Sequence, residues 1–299
     1  MGRAFHDASA AARAVFERAD RTLDLPLTKY CFEGPEEKLA ETDVCQPAIL
    51  ACSVAIVAAL GERGELKRSD FACAAGLSLG EYTALWFAGA LSFEDALRLV
   101  RTRGQAMQRA SEASPSGMVA LIGASEEQAR AACAKHAQGE VLQPANFLDP
   151  GNIAVSGSKT ALERLVANAR EDGIRRALPL KVADAFHSPL MEPAVAVLAA
   201  AFAKVALKDP ALPVYSNVTA APHGTLAELK FTLMRQITAP VLWEKSVRAM
   251  IARGVDQFVE PGPGKVLTGL VGKVDANVRA RNLQKPEDLE RAAAEGGKS

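Results

Sequence analysis

A serine set between glycines, one histidine and one arginine are the residues of this 299-residue chain whose types and surroundings bear chemistry. Gly76-Leu77-Ser78-Leu79-Gly80 lies between an apolar run, Phe71 to Ala75, that reads as a buried strand, and Glu81 to Ala88, which reads as a buried helix. Strand, tight turn and helix are the setting of a nucleophile elbow, with the helix start offering free N–H groups to a developing oxyanion. The flanking glycines read as places where the turn leaves no room for side chains. Ser78 is therefore the candidate nucleophile. A Gly-x-Ser-x-Gly string also occurs as an ordinary loop, so the weight falls on its partners.

A serine hydroxyl needs a general base, and histidine is the usual one. Of the four histidines, His6, His136 and His223 read as solvated side chains. His187 follows an extended apolar segment and opens a helix, so it is the candidate base. No carboxylate stands out as a third member; Asp184 is close in sequence but is expected to point elsewhere, leaving a backbone carbonyl to orient the imidazole. Arg103 read alone is a solvated arginine like Arg98, Arg101 and Arg109. A Ser-His-Arg set would instead suit an acyl group carrying a free carboxylate, which arginine grips bidentately.

The elements that must position these groups follow from periodicity. Met1 to Asp20 has an amphipathic helical pattern, and Asp43 reads as the cap of an apolar helix running to about Leu60. Ser92 with Asp95 reads as a capping box ahead of the helix that carries Arg103. From 114 to 183 the order is strand, helix, strand, strand, helix, strand: Met118–Gly123, Ser125–His136, Val141–Asn146, Asn152–Gly157, Thr160–Glu171 and Ala177–Val182. That order is ferredoxin-like. A strand at Val214–Val218, helices before and after Pro240, a last strand at Gln257–Glu260 and a final helix complete the chain, whose tail from Glu287 reads as frayed.

Composition narrows the classes. Acidic and basic residues balance at 35 each, which argues against nucleic acid as a partner. Five cysteines form no Cys-x-x-Cys pair and no even disulfide set, so a reducing cytoplasm is expected. No apolar run of about 18 residues, no secretory signal and no metal-ligand cluster is read, so neither membrane, metal nor cofactor is expected.

Over nearly the whole chain the residues resemble the malonyl-CoA:acyl carrier protein transacylases and the related acyltransferase domains of polyketide synthases. The resemblance is carried by Gly76 to Tyr82, Cys45-Gln46-Pro47-Ala48, Arg101 to Gly104 with Met107-Gln108, Ala185-Phe186-His187-Ser188, Arg235-Gln236 before Pro240-Val241, and Gly262 to Leu270. It implies an α/β fold with a hydrolase-like parallel-sheet large domain (1–113 and 184–299) and an inserted ferredoxin-like small subdomain (114–183). It implies that Ser78 attacks malonyl-CoA, that His187 takes its proton and later activates the carrier's phosphopantetheine thiol, and that the Gln236 carbonyl orients His187. Arg103 would pair with the malonyl carboxylate and the Leu79 N–H would bind the oxyanion. Phe186 would fill the space that a methylmalonyl branch needs, and Asn146 would line the substrate site. The implied partners are malonyl-CoA and the holo acyl carrier protein of fatty acid biosynthesis, met by a cytoplasmic monomer. Arg170, Arg175, Arg176 and Lys181, or Lys265 and Lys273, are the candidate basic groups for that acidic carrier.

Three positions depart from the family pattern. The family's opening strand and Gly-Gln-Gly-x-Gln loop, source of a second oxyanion N–H, align ahead of Met1-Gly2-Arg3; loss of one such donor costs roughly 100- to 1000-fold in turnover. Leu77 stands where the family has histidine, and Leu148 where it often has asparagine. Two alternatives therefore stand beside the transacylase: an acyl hydrolase of the same superfamily, against which Arg103 argues, and a non-catalytic carrier-binding homologue, against which the intact Ser78, His187, Arg103 and Gln236 argue.

Overall fold

The computed structural model describes residues 1–64, 66–113, 115–180 and 184–288, and the chain divides into two compact units. The first comprises Met1–Gly104, Val205–Val214 and Val255–Ser299; the second comprises Gln105–Lys204 and Tyr215–Gly254.

The first unit opens with two helices rather than one. α1 (Arg3–Ala8) ends at Ser9, whose extended backbone and hydroxyl, accepting from the Ala12 N–H, cap α2 (Ala10–Leu23). The apolar face of α2 buries Ala12, Val15, Phe16 and Ala19. After the short helices α3 (Leu27–Glu33) and α4 (Glu36–Ala40) comes α5 (Thr42–Glu62), buried over most of its length. Its N-cap is Glu41, so Asp43 lies in the first turn and does not cap it. Contrary to the sequence reading, α5 is long and apolar enough to cross a bilayer, yet 72% of its most apolar 18-residue window is buried inside the protein, as in a core helix.

The expected strand at Phe71–Ala75 is reduced to one parallel bridge, Ala74 to Val214, with the Ala74 N–H donating to the Pro213 carbonyl at 2.9 Å. With one bridge among the described residues, its small side chains stay partly exposed, Ala72 the most of them. The turn at Gly76–Leu79 leads into α6 (Gly80–Phe87), then α7 (Phe93–Glu112). The Ser92 hydroxyl accepts from the Asp95 N–H at 3.0 Å, as its spacing predicts. Near the end of the chain β5 (Gln257–Pro261), α13 (Val266–Val274) and β6 (Arg279–Leu283) form a parallel β-α-β unit. β5 is therefore not the last strand. The Glu260 carboxylate accepts from the Leu267 and Thr268 N–H groups at 3.0 and 2.7 Å, satisfying donors that the helix start leaves over.

The second unit carries β1 (Ser116–Ile122), α8 (Glu126–Ala137), β2 (Leu142–Asp149), β3 (Asn152–Ser158), α9 (Lys159–Asn168) and β4 (Arg176–Pro179). The strands form one antiparallel sheet in the order β2-β3-β1-β4, the ferredoxin-like arrangement that the element order predicts. Val119, Leu121, Ile153 and Val155 of the central strands pack with Ala129, Leu162 and Leu165 of the helices. His136, read as solvated, is instead 5% exposed, with Nε2 2.6 Å from the Asp172 carboxylate. α10 (Glu192–Phe202), α11 (Leu226–Arg235) and α12 (Trp243–Ala252) complete the unit. The expected strand at Val214–Val218 is two isolated bridges, the second pairing Tyr215 with Pro222. Lys181 and most of the tail read as frayed lie outside the described residues.

Candidate active site

Ser78 sits on a turn whose backbone is forced. Its φ is 52°, a left-handed conformation that costs a non-glycine residue about 1–2 kcal/mol. A Cβ at Gly76 would stand 2.1 Å from the Gly80 carbonyl carbon, so only glycine fits there. At Gly80 a Cβ would meet nothing within 4 Å. The glycine requirement is thus one-sided, because the turn folds Gly80 back onto Gly76 and leaves the outer side open. The N–H groups of Gly80, Glu81 and Tyr82 donate within the turn to the carbonyls of Leu77, Ser78 and Leu79. Among the described residues the Leu79 N–H has no such acceptor, as an oxyanion donor requires.

Arg103 is not the solvated arginine that its helix suggests: it is 1% exposed. Its Nη1 donates to Gln46 Oε1 at 2.6 Å and its Nη2 to Ser78 Oγ at 2.9 Å, with the guanidinium 5.7 Å from the Tyr82 ring centre. Burial pushes the guanidinium pKa down from its ordinary value, opposed by Tyr82 and Glu81. The next residue explains how a helix brings Arg103 this deep. A Cβ on Gly104 would lie 2.6 Å from the Thr42 carbonyl oxygen and 2.7 Å from Asp43 Cα, so α7 meets the start of α5 backbone to backbone. That approach carries Arg103 to Gln46. Gln46 was legible only as part of a motif; its role as an anchor for the guanidinium had no signal of its own.

In the second unit His187 also adopts a left-handed backbone, φ 57°, and is 3% exposed. It precedes the short 3-10 turn Pro189–Met191 that leads into α10. Nδ1 lies 2.7 Å from the Gln236 carbonyl oxygen, at the C-terminal cap of α11. A carbonyl only accepts, so Nδ1 carries the proton and Nε2 is the basic nitrogen of the neutral ring. Asp184 faces Ser111 and Glu112, and burial raises its pKa. Phe186 packs against Met118, Ala145 and Ala154. Asn146 pairs with Ala154 and bridges Val241, and its Oδ1 is buried with no hydrogen-bond partner among the described residues. Sequence reasoning missed Gln143 and Ser156, whose side chains donate to the His187 and Phe186 carbonyls. A hydroxyl directly after the apolar run Ile153 to Val155 was a signal for Ser156; Gln143 offered none.

Among the described residues five non-glycine positions have positive φ. Asp24 and Gln138 are helix C-caps, where that conformation is routine, and Ala220 lies in a turn between the bonded residues Ser216 and Ala221. Ser78 and His187 are the other two. Strain of this kind gathers at functional sites.

Residues 1–280 match the family model described as the acyl transferase domain. The chain belongs to that family. It is 40% identical over 293 residues to a malonyl CoA-acyl carrier protein transacylase of Bacillus subtilis, covering 98% of this chain and 91% of the relative. Its fold matches that of an acyl-carrier-protein S-malonyltransferase from Bartonella henselae with a TM-score of 0.95 at 36% identity, covering 99% and 95% of the two chains. It also matches a malonyl-transacylase solved in complex with a type II polyketide synthase acyl carrier protein, with a TM-score of 0.94, 35% identity and coverage of 99% and 94%. Acyl transferases of this kind share the α/β architecture described above: a hydrolase-like large domain and a ferredoxin-like subdomain.

Proposed function

We propose that this chain transfers a malonyl group from malonyl-CoA to the phosphopantetheine thiol of acyl carrier protein, through a malonyl ester of Ser78, in fatty acid biosynthesis. The observation that carries the reading is the buried Arg103 guanidinium within 2.9 Å of Ser78 Oγ. An acyl group esterified to that oxygen and ending in a carboxylate finds the cation in hydrogen-bonding range, whereas an acetyl group brings no carboxylate to it.

In the first half-reaction Ser78 Oγ attacks the thioester carbonyl while His187 Nε2 takes the hydroxyl proton. The carbonyl oxygen becomes an oxyanion that accepts from the Leu79 N–H. Collapse expels the CoA thiolate, which receives the proton from His187. In the second half-reaction His187 takes the proton of the carrier thiol, the thiolate attacks the ester, and Ser78 recovers its proton. The Gln236 carbonyl steadies the imidazolium formed in each half. Phe186 restricts the space beside the acyl α-carbon and Asn146 contributes to the substrate site. Residues 1–113 and 184–299 serve as the acyltransferase domain with 114–183 as its inserted subdomain, and the protein acts as a cytoplasmic monomer without a cofactor.

The reading is tested by intact-mass spectrometry after brief mixing with malonyl-CoA, beside a Ser78→Ala control, followed by addition of carrier protein. A malonyl adduct that needs Ser78 and passes to the carrier supports it. An adduct lost to water with carrier present would favour an acyl hydrolase, and no adduct at all would favour a carrier-binding homologue without catalysis.

A further inference from the structure

The conformation of His187 is held from the ferredoxin-like sheet. Gln143 on β2 and Ser156 on β3 stand opposite one another in register, so their side chains share a face. Both reach carbonyls of the histidine loop. The Ser156 hydroxyl, in a side chain with no exposure, donates to the Phe186 carbonyl, and Gln143 Nε2 donates to the His187 carbonyl at 2.8 Å. The same amide nitrogen donates to the Thr238 carbonyl at 3.3 Å, two residues beyond Gln236, whose own carbonyl meets His187 Nδ1. The Ser188 hydroxyl, donating to the Ala185 carbonyl at 2.6 Å, closes the turn. β2 shifts register between Pro144 and Asn146, the kind of irregularity that re-aims side chains beside active sites.

A left-handed histidine relaxes unless its surroundings over-determine it. Here the carbonyls on both sides of the His187 Cα are held by one cross-strand pair, and one of that pair also holds the segment carrying the acceptor for Nδ1. We infer that Gln143 and Ser156 are positioning residues: they lock the His187 backbone and, through it, keep the proton on Nδ1 and leave Nε2 basic. The inference rests on reading His187 as the general base.

Two variants of the full chain test it, Gln143→Met, which keeps bulk without a donor, and Ser156→Ala. Histidine-labelled ¹⁵N NMR at pH 8 reads the tautomer of His187, and steady-state malonyl transfer reads the rate. Each variant is expected to increase the Nε2-protonated form and speed exchange of the Nδ1 proton. Each should also lower kcat on the order of tenfold, with KM for malonyl-CoA changed less than about twofold. An unchanged His187 spectrum in both variants overturns the inference whatever the rate does. A shifted spectrum with wild-type transfer leaves the clamp standing and overturns His187 as base, as would wild-type acylation of Ser78 by His187→Ala.

Discussion

At the scale of single residues, the proposed preference for malonyl rests on Arg103. Its pKa is pushed down by burial while Gln46 and Ser78 accept two of its hydrogen bonds, so the site holds a cation whose natural complement is a carboxylate. Arg103→Ala should lower kcat/KM for malonyl-CoA by about 100-fold or more and narrow its advantage over acetyl-CoA, measured in paired acylation assays; retained preference for malonyl would move selectivity elsewhere. Phe186 packs on Met118, Ala145 and Ala154. Phe186→Ser should raise methylmalonyl transfer relative to malonyl by roughly tenfold in competition assays, since one methyl in an apolar pocket is worth about 1–3 kcal/mol. The candidate nucleophile Ser78 was legible because a nucleophile elbow writes its backbone geometry into local glycines. Arg103 was legible only through the family resemblance: helical periodicity gives the direction of a side chain but not what another helix, earlier in the chain, brings against it.

At the scale of elements, the close approach of α7 to α5 is the contact that brings Arg103 to Gln46. Gly104→Ala puts a methyl 2.6 Å from the Thr42 carbonyl oxygen, so the helices must part. We expect a loss of about 1–3 kcal/mol in denaturant unfolding, together with weakened malonyl acylation. In the ferredoxin-like subdomain Glu140 ties the end of β3 to α9: it accepts from Ser158 at 2.5 Å, from Thr160, and from Arg164 at 2.7 Å. These bonds hold its pKa down at about 2. The folded value lies below the ordinary carboxylate value, so the stabilisation is complete above pH 4.5 and is lost as pH falls towards 2. Glu140→Gln should therefore have a shallower fall in Tm with acid across that window than the parent; parallel curves would remove Glu140 from the account. The six-element order of this subdomain was legible because each helix and strand keeps its own hydrophobic period. The expected strands at Phe71–Ala75 and Val214–Val218 shrank to bridges because pairing depends on partners that the local sequence does not contain.

At the scale of the whole molecule, the proposed acidic carrier would be met by exposed arginines. Arg170, Arg175 and Arg176 are exposed, and β4 beside them presents Leu178 and, just beyond it, Leu180 at 46% and 39% exposure. Reversing charge at Arg175 and Arg176 to glutamate should raise the KM for carrier protein several-fold and leave that for malonyl-CoA unchanged, with the difference shrinking at high salt. Equal carrier KM values would point to Lys265 and Lys273 on the other unit.

What the sequence determined by itself was whatever is encoded within a few residues: the elbow at Ser78, the capping box at Ser92 and Asp95, and the alternation of strand and helix between 116 and 179. Those signals survive because they depend on backbone sterics and on periodicity along one element. Tertiary structure alone decided the rest. It buried Arg103 against Gln46, paired His136 with Asp172, and aimed Gln143 and Ser156 at the His187 loop. Each of these joins residues more than 25 positions apart, and a polar side chain takes its role from the donor or acceptor that folding places opposite it.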